Sequence, residues 1–421
     1  MQRKIQNRVQ TRAVNLSYKS KHLLLNYATG VGKTLAAIKI IDNVIQASDN
    51  PRKWHIICWE TAHITNWMKD IEKHDMQHIL PFVEIYCYAS LKNLAQKDVN
   101  YILDEGHHAV SDTYWPIITT HANATVFLTA TMPREKLMVI RGQYKDLIVD
   151  SFDLGDAFEH GLLPTPNIYY VPITLDGTNF TETIHITKGA KVKWSKLPQT
   201  KVRYGAHYQH LKGKTGGIPV NLLIECTPIQ KLQYWNEQVD YWQQVFFNTR
   251  EPFHKNNWLR SGSDRKKFIA EQKTPMLQRL NKMLEGRRRI IFCGSTQQAE
   301  LVSAEHAIHS NIKPKKLIQE RIEKFQNKET DLLVSMKMLR EGMNLENIEV
   351  VIIGQLNKET LSFIQMIGRG LRAEYPEIFV LVAPGTKDQD YWEEAKIGVP
   401  SDVIKNYEEF FKAKTYETNR T

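Results

Sequence analysis

A glycine-rich stretch near the start of the chain, ATGVGKT at residues 28–34, has the composition of a phosphate-binding loop. Gly30 and Gly32 allow the backbone to curl so that its N–H groups point at phosphate oxygens. The stretch leads into an apolar run of helical spacing, and the N-terminus of a helix favours an anion. Lys33 is placed to meet the β- and γ-phosphates of a nucleotide, and the hydroxyl of Thr34 to bind Mg²⁺. The residues predicted to bind the nucleotide are therefore Thr29, Gly30, Val31, Gly32, Lys33 and Thr34.

A pair of acidic residues supplies the second half of such a site, in the stretch ILDEGHH at residues 102–108. An apolar strand would deliver Asp104 and Glu105 to the carboxyl edge of a sheet, where α/β proteins hold their ligands. Asp104 can bind Mg²⁺, and Glu105 can orient a water molecule and take its proton, as phosphoanhydride hydrolysis requires. Because the pair follows the loop by about 70 residues, the combination favours a hydrolytic site over a solvated loop.

A third set of polar residues, far along the chain, separates a motor from the kinases, GTPases and transporters that use similar loops. The stretch QMIGRGLR places Gln365, Arg369 and Arg372 at offsets of 0, 4 and 7, so all three share one face of a helix. Two arginines on one face suit stabilisation of a γ-phosphate in the transition state. They lie about 330 residues after Lys33, which divides the predicted site between two domains. Hydrolysis in a divided site can move one domain relative to the other.

Short apolar runs alternate with stretches of helical spacing in two parts of the chain. This alternation predicts buried strands in parallel sheets joined by right-handed crossovers, and hence two α/β domains. The first set of predicted strands covers 22–27, 54–59, 83–88, 99–105 and 125–131, with a helix at 33–46. The second set covers 288–294, 330–336, 350–355 and 378–384.

The region between these two parts, residues 176–285, differs from both in composition. Its first half, Thr187 to Thr215, carries eight Lys or Arg and no Asp or Glu, with aromatic residues interleaved. Lysines can neutralise phosphates and aromatic rings can stack on bases, so this half is a candidate nucleic-acid contact. Its second half includes residues 227–247, which are rich in aromatic residues and helical in spacing. The residues predicted to contact nucleic acid are Lys191, Lys193, Trp194, Lys196, Lys201, Arg203 and Tyr204.

The composition suits a protein of several domains with a polyanionic partner. The chain has 421 residues, and Lys plus Arg exceed Asp plus Glu by 56 − 46, a net charge of +10. The four cysteines lie without CxxC spacing and indicate neither a zinc site nor a disulfide framework. No apolar run has the roughly 20 residues of a membrane span, and the basic N-terminus lacks the apolar core of a secretory signal. We therefore expect a soluble, intracellular protein whose N-terminal arm, before Leu23, is either a nucleic-acid contact or a disordered tail.

In these features the chain resembles the superfamily 2 helicases and translocases over most of its length. The stretch ATGVGKT resembles their motif I, DEGHH a DEAH-type motif II, and TAT at residues 129–131 motif III. IIFCGST at residues 290–296 resembles motif IV, MLREGMNLENIEVVI at residues 338–352 motif V, and QMIGRGLR motif VI. The resemblance implies an α/β fold of two RecA-like parallel-sheet domains in tandem, with an accessory basic and aromatic insertion. It also implies that ATP and Mg²⁺ bind between the domains, with DNA across their tops.

The resemblance assigns roles to individual positions. The implied catalytic residues are Lys33, Glu105, Gln365, Arg369 and Arg372. Among them Glu105 would be the general base, and the two arginines would act as arginine fingers. The implied metal ligands are Thr34 and Asp104, and Gln10 would contact the adenine. The residues that would couple the ATP site to the second domain are His107, Thr129 and Thr131.

The chain departs from the family pattern at three positions. Tyr27 stands where the phosphate-loop pattern GxxxxGK[ST] begins with glycine. Gly106 stands in motif II where alanine or cysteine is commoner, and Asn344 stands in motif V where aspartate is usual. Contacts that the family assigns to the motif V aspartate are therefore not expected here.

The order of the motifs divides the chain into four segments. Residues 1–135 would form the first RecA-like, ATP-binding domain with motifs I to III, and residues 136–175 a connector. Residues 176–285 would form the accessory insertion, and residues 286–421 the second RecA-like domain with motifs IV to VI. We expect a monomer that works in the cytoplasm of a bacterium or a phage-infected cell, with no membrane association.

The choice of polymer rests on what the first domain lacks. It has neither the Pro-Thr-Arg-Glu-Leu segment nor the Ser-Ala-Thr motif of the DEAD-box RNA helicases, and looks closer to compact DNA helicases of the restriction-motor and phage type. We therefore expect an ATP- and Mg²⁺-dependent DNA helicase or translocase that acts on single-stranded, forked or branched DNA. Three other interpretations stay open: a duplex DNA translocase without net unwinding, an RNA helicase, and a nucleic-acid-binding module with a structural ATP site. A phosphotransferase is disfavoured, because no acceptor site is visible.

Overall fold

The computed structural model of the chain describes residues 2–28, 30–94, 98–187, 202–204, 221–336, 347–356, 376–396 and 399–411. Within these ranges the chain forms two large parallel sheets, flanked by helices, and one small antiparallel sheet. The predicted fold class, two parallel-sheet α/β units in one chain, is confirmed. Among the helices of the described ranges, none has the length together with the apolar composition that crossing a membrane requires.

The first sheet has six parallel strands in the order β3-β2-β4-β5-β1-β6. They are β1 His22–Tyr27, β2 Trp54–Cys58, β3 Val83–Cys87, β4 Val99–Asp104, β5 Ala122–Thr129 and β6 Ile148–Phe152. Every residue of β2 is buried, as a strand covered on both faces requires. The helices of this part are α1 Gln2–Ser17, α2 Lys33–Gln46, α3 Thr61–Lys73, α4 Trp115–His121, α5 Arg134–Gln143 and α6 Leu154–Glu159. Because β1 lies between β5 and β6, the chain leaves the interior of the sheet directly into the glycine-rich loop.

The N-terminal segment is a helix rather than a disordered tail. The side chains of Val9 and Ala13 on α1 are buried in the same core as those of α2. The guanidinium of Arg12 donates a hydrogen bond to Asp150 on β6, with 2.9 Å between Nε and Oδ2. In the sequence the apolar positions of the helix are interspersed with basic residues, of which Arg8 and Arg12 are exposed in the structure.

The second sheet has seven parallel strands in the order β12-β13-β11-β14-β15-β7-β16. They are β7 Asn167–Pro172, β11 Arg289–Phe292, β12 Ala307–Ile308, β13 Leu332–Ser335, β14 Val350–Ile353, β15 Glu377–Val382 and β16 Ile404–Asn406. The helices around it include α10 Thr296–Ser303, α11 Lys315–Gln326 and α12 Lys387–Ala395. The strands β7, β12 and β16 were not predicted. The last two have only two or three residues, which are too few to show an apolar pattern.

Residues 136–175 contribute to both large sheets. Strand β6 forms the edge of the first sheet beside β1, whereas β7 lies between β15 and β16 of the second. The chain therefore passes from one sheet to the other within residues 153–166. The segment limits at residues 135, 175 and 285 stay a prediction.

Residues 176–285 contain the small sheet and a helical hairpin. Strands β8 Glu182–Thr187, β10 Asn221–Cys226 and β9 Val202–Tyr204 pair antiparallel in that order. Helices α7 Pro228–Thr249 and α8 Pro252–Gln272 then run back along each other, joined by two residues. The following helix, α9 Thr274–Met283, packs through Leu277 and Leu280 into the core on one face of the second sheet. The predicted helix at residues 227–247 is thus present as α7.

Candidate nucleotide-binding and catalytic site

The glycine-rich loop lies at the carboxyl edge of the first sheet, between β1 and α2. Gly30 and Gly32 have φ angles of +92° and +98°, a left-handed region in which residues with side chains are strained. Space excludes a side chain as well, because a Cβ on Gly30 would stand 2.9 Å from Cδ2 of Leu163. A Cβ on Gly32 would stand 2.8 Å from Nε2 of Gln10. The loop is thus a cradle of backbone groups that fits a phosphate chain at a helix N-terminus.

The side chain of Lys33 lies over this loop. Its Nζ donates a hydrogen bond to the carbonyl oxygen of Tyr27, with 2.9 Å between the atoms. Burial lowers the pKa of Lys33, and the negative charges of Glu105 and Asp104 raise it again in part. A phosphate in the loop would add a further negative charge beside the ammonium group. The loop lysine and the two predicted acids therefore share one electrostatic environment.

The residue at the start of the loop pattern, Tyr27, belongs to the core rather than to the loop. Its ring is fully buried, and its hydroxyl donates a hydrogen bond of 2.5 Å to Oδ2 of Asp150. Burial and the neighbouring carboxylate raise the pKa of Tyr27, so the hydroxyl stays protonated and acts as a donor. The departure from glycine at this position is accommodated because the side chain points away from the loop into packed structure.

Asp104 ends β4 with its carboxylate held by two donors. The indole N–H of Trp67 on α3 donates to Oδ2, with 2.9 Å between the heavy atoms. The backbone N–H of Glu105 donates to Oδ1 at 3.1 Å. Mg²⁺ prefers oxygen ligands, so the carboxylate of Asp104 and the hydroxyl of Thr34 have the chemistry that their predicted role requires. This role remains a prediction.

Glu105 follows in a left-handed backbone conformation, with a φ of +48°. Residues with side chains adopt this region at a cost, and residues strained in this way cluster at functional sites. Its side chain is about four-fifths buried, and its Oε2 lies 3.6 Å from Nδ1 of His107. A carboxylate held in this way can accept a proton from a water molecule beside the phosphate loop.

His107 links the acidic pair to the end of β5. Its Nδ1 lies 3.4 Å from Oγ1 of Thr129, whose hydroxyl donates to the carbonyl oxygen of Thr131 at 2.9 Å. Lys136 donates to the carbonyl oxygen of His107 at 2.7 Å. Burial, with the nearby charges of His108 and Lys136, lowers the pKa of His107 to about 3. The imidazole is therefore neutral at physiological pH and acts as a hydrogen-bonding group that carries no charge.

Gln10 on α1 is buried against the loop. Its Oε1 accepts a hydrogen bond of 2.7 Å from Nζ of Lys39 on α2, and its Nε2 faces Gly32. The structure thus brings Gln10 next to the phosphate loop, as its predicted adenine contact requires. This role remains a prediction.

Several predicted site residues lie outside the described part of the chain. They are Thr29 of the loop, Lys191, Lys193, Trp194, Lys196 and Lys201 of the basic segment, and Gln365, Arg369 and Arg372 of motif VI. Asn344 of motif V also lies outside it. The backbones of Arg203 and Tyr204 are in β9, paired with Leu223 and Leu222 of β10.

Two tryptophans beside the acidic pair were missed in the sequence. Besides Trp67, Trp59 at the end of β2 stacks on His108, with ring centroids 3.7 Å apart and planes at 12°. Trp59 precedes α3 and Trp67 lies within it, so the stretch from the end of β2 into α3 contacts motif II twice. A buried indole N–H usually has a hydrogen-bond acceptor, so the sequence could indicate that Trp67 would have one. It could not identify the acceptor, which is 37 residues away.

Replacing Trp67 by phenylalanine is expected to weaken Mg²⁺ binding in the presence of nucleotide by about 10- to 100-fold, the usual effect of losing a group that orients a metal ligand. The measurement is calorimetric titration of Mg²⁺ into the protein with a non-hydrolysable nucleotide. Trp54→Phe is the matched control, because Trp54 is equally buried and its indole N–H has no hydrogen-bond partner within the described ranges. Equal Mg²⁺ affinities in the two variants would contradict a positioning role for Trp67.

Two family models match separate parts of the chain. The family model of the helicase conserved C-terminal domain matches residues 272–374, and that of the res subunit of type III restriction enzymes matches residues 1–83. The first match includes the predicted motif VI, and the second includes the phosphate loop. Together the two matches support a superfamily 2 helicase.

A curated relative comes from Methanocaldococcus jannaschii, and its name provisionally describes an ATP-dependent RNA helicase. The two are 36% identical over 76 residues, which are 18% of this chain and 10% of the relative. The chain thus matches about a tenth of the length of that protein.

Solved helicase structures resemble this chain in fold. S. cerevisiae Dbp5 bound to RNA and ADP BeF3 aligns with a TM-score of 0.56 and 9% identity, over 98% of this chain and 92% of that one. The Pyrococcus furiosus Hef helicase domain aligns with a TM-score of 0.48 and 12% identity, over 93% of this chain and 97% of that one. At 9% identity the Dbp5 match speaks to the fold alone, which is that of two RecA-like domains in tandem.

Proposed function

We propose that this chain is an ATP-driven motor that moves along DNA and unwinds or remodels it. The observation that carries the proposal is the meeting of Lys33, Asp104 and Glu105 at one edge of the first sheet. A second parallel sheet in the same chain offers the partner domain that a divided ATP site needs. The matches to two helicase-type family models support the motor.

The residues at the first sheet would divide the work of hydrolysis. Lys33 neutralises phosphate charge, and the positive φ angles of Gly30 and Gly32 direct backbone N–H groups at phosphate oxygens. Thr34 and Asp104 would hold Mg²⁺, which supplies positive charge at the phosphates when it is bound. Glu105 orients the attacking water and accepts its proton.

The remaining parts of the cycle would come from the second domain and from the coupling residues. Arg369 and Arg372 would stabilise the charge of the transition state, with Gln365 beside the nucleotide. The chain of contacts from Glu105 through His107 to Thr129 gives motif II a path to the end of β5. A change at the ATP site can therefore shift the loop after β5, which faces the neighbouring domain in this proposal.

The proposed polymer is DNA. The match of residues 1–83 to a restriction-enzyme subunit supports DNA, since such enzymes act on it. The absence of the DEAD-box segments from the first domain points the same way. RNA is the second candidate. The archaeal relative is named as an RNA helicase, and the Dbp5 structure contains RNA.

The decisive experiment is steady-state ATP hydrolysis without nucleic acid and with single-stranded DNA, forked duplex, blunt duplex or RNA. Strong stimulation by single-stranded or forked DNA is the expected result, and strand displacement on the fork would follow. Greater stimulation by blunt duplex would replace unwinding by translocation on duplex DNA. Greater stimulation by RNA would overturn the choice of polymer, and no hydrolysis under any condition would favour a nucleic-acid-binding module.

Replacing four lysines of the basic segment by glutamine in one variant is expected to weaken DNA binding and to reduce its dependence on salt. The four are Lys191, Lys193, Lys196 and Lys201. Each phosphate contact contributes about 0.7–0.9 to the slope of log K against log salt, so four contacts account for up to about 3.6 of that slope. The measurement is fluorescence anisotropy of labelled single-stranded DNA at several salt concentrations. Changing the exposed residues Lys315, Lys316, Lys324 and Lys328 alters the net charge equally and is the control. Equal slopes in the two variants would show that the basic segment does not contact DNA.

A further inference from the structure

The outer half of the α7–α8 hairpin is unusual because it is aromatic and unburied. We define the hairpin tip as residues 240–260, which include the end of α7, the two-residue link and the start of α8. Six of its 21 residues are Tyr, Trp or Phe, against 10% of the whole chain, and none of the 21 is buried. Ten helical residues extend about 15 Å, so the tip stands well away from the buried base.

The base of the hairpin, by contrast, is anchored. Leu232 and Val239 on α7 and Phe268 and Ile269 on α8 are buried. Glu182 on β8 accepts hydrogen bonds from Lys231 of α7 at 2.8 Å and from Gln272 of α8 at 2.7 Å. The hairpin therefore does not depend on the rings of its tip for attachment to the protein.

The rings of the tip form a ladder between the two helices. Phe246 stacks on Trp258 with centroids 6.0 Å apart and planes at 23°, and Trp242 stacks on His254 at 5.9 Å and 28°. The guanidinium of Arg250 lies 5.1 Å from the ring centroid of Phe247. Phe253 is 67% exposed and Phe247 is 48% exposed. Exposed rings clustered in this way mark an interaction surface.

The chemistry around the rings favours bases and phosphates over a protein surface. Between the rings lie five amide side chains and three cations, whereas the aliphatic residues of the tip are Val245 and Leu259 alone. Amides can hydrogen-bond to base edges, arginine and lysine can meet phosphates, and aromatic faces can stack on any base. A groove that accepts a protein helix would instead be matched by an aliphatic stripe. The amides are Gln243, Gln244, Asn248, Asn256 and Asn257, and the cations are Arg250, Lys255 and Arg260.

The position of the hairpin supports the same partner. Strand β8, to which the base is bonded, ends at Thr187, where the run of eight Lys or Arg without acidic residues begins. One insertion thus carries a basic segment and an aromatic tip, the two components that a binding site for single-stranded nucleic acid combines.

We propose that the hairpin tip is a nucleic-acid contact of its own, which stacks on unpaired bases where a duplex opens into single strands. This proposal rests on the proposed motor function. It adds that the hairpin tip is the part of the protein that contacts DNA at the junction between duplex and single strands. It is distinct from the basic segment, because it acts through stacking and not mainly through charge. Its contribution therefore persists at salt concentrations that screen lysine contacts.

The test uses the full chain with Phe247 and Phe253 both replaced by alanine. The Kd for a fluorescein-labelled DNA fork is expected to rise about tenfold or more, and the Kd for blunt duplex of the same sequence to change much less. Phe180→Ala is the matched control, because Phe180 is 56% exposed but lies outside the hairpin. Thermal unfolding should be unchanged in the double variant, since neither ring is buried. Equal fork affinity in wild type and double variant would overturn the proposal.

A second measurement needs no variant. Photocross-linking of a fork carrying 5-iodouracil at the junction is expected to attach to peptides from residues 240–260. Cross-links confined to other peptides would overturn the contact even if the double variant bound weakly. If the wild type neither binds a DNA or RNA fork nor hydrolyses ATP faster with one, the motor function fails and the tip contact fails with it. If the wild type responds and the double variant responds equally, only the tip contact fails.

Discussion

Replacing Glu105 by glutamine is expected to lower kcat for ATP hydrolysis by about 100- to 10,000-fold, the usual contribution of a positioned general base. The substitution keeps the size of the side chain and its place beside His107, but removes the proton acceptor. Nucleotide binding should persist, because the phosphate loop and Asp104 are untouched. The measurement is steady-state hydrolysis at saturating DNA, together with the Kd of a fluorescent nucleotide.

The matched control for this variant is Glu72→Gln. Glu72 is an exposed residue on α3, a helix beside the first sheet. It carries the same chemical change away from the loop and should leave kcat within about twofold. Hydrolysis retained in Glu105→Gln would mean that another group takes the proton. Nucleic-acid binding and function retained without any hydrolysis would instead favour the module with a structural ATP site.

Replacing Lys273 by methionine is expected to lower the free energy of unfolding by about 3–5 kcal/mol, the usual cost of leaving one partner of a buried ion pair alone. The Nζ of Lys273 is fully buried and donates three hydrogen bonds. Its acceptors are the carbonyl oxygen of Gly354 at 2.9 Å, that of Leu381 at 2.8 Å, and Oδ2 of Asp388 at 2.5 Å. Methionine would fill the space of the side chain but leave all three acceptors without this donor.

The electrostatics of Lys273 support a large effect. Burial lowers the pKa of Lys273, and the charge of Asp388 opposes that shift. The same carboxylate accepts hydrogen bonds from the backbone of Ala383 and from the side chain of Gln355, each at 2.9 Å. The network therefore ties the ends of β14 and β15 to α12, at the edge of the second sheet from which motif VI continues.

Chemical denaturation followed by circular dichroism measures this effect. Lys267→Met on α8, the helix that ends just before Lys273, is the control. Lys267 makes an exposed ion pair with Asp264 at 3.7 Å, so its replacement should cost at most about 1 kcal/mol. The double variant Lys273→Met with Asp388→Asn removes both charges and should recover part of the loss. Equal stabilities of Lys273→Met and Lys267→Met would contradict the importance of the buried network.

The sequence by itself determined the parts of this protein whose signal is local. Strands buried on both faces are continuous apolar runs, so β1, β2 and β4 were predicted within one residue of their observed ends. Helix α2 begins at Lys33 and ends at Gln46, as predicted, because the loop glycines and the apolar periodicity define both ends. Asp104 and Glu105 follow from the strand that precedes them, since the carboxyl edge of a parallel sheet is where that strand must end.

The tertiary structure alone decided which distant residues meet. Trp67 reaches Asp104 across 37 residues, and Lys273 reaches Asp388 across 115. The crossing of β7 into the second sheet, between β15 and β16, likewise depends on strand order. Hydrogen bonds of this kind leave no periodic trace, because one buried donor satisfies one acceptor wherever the chain brings it. The exposure of the hairpin tip also depends on the tertiary structure. From the sequence an aromatic helix is expected to be buried, whereas none of residues 240–260 is buried in the fold.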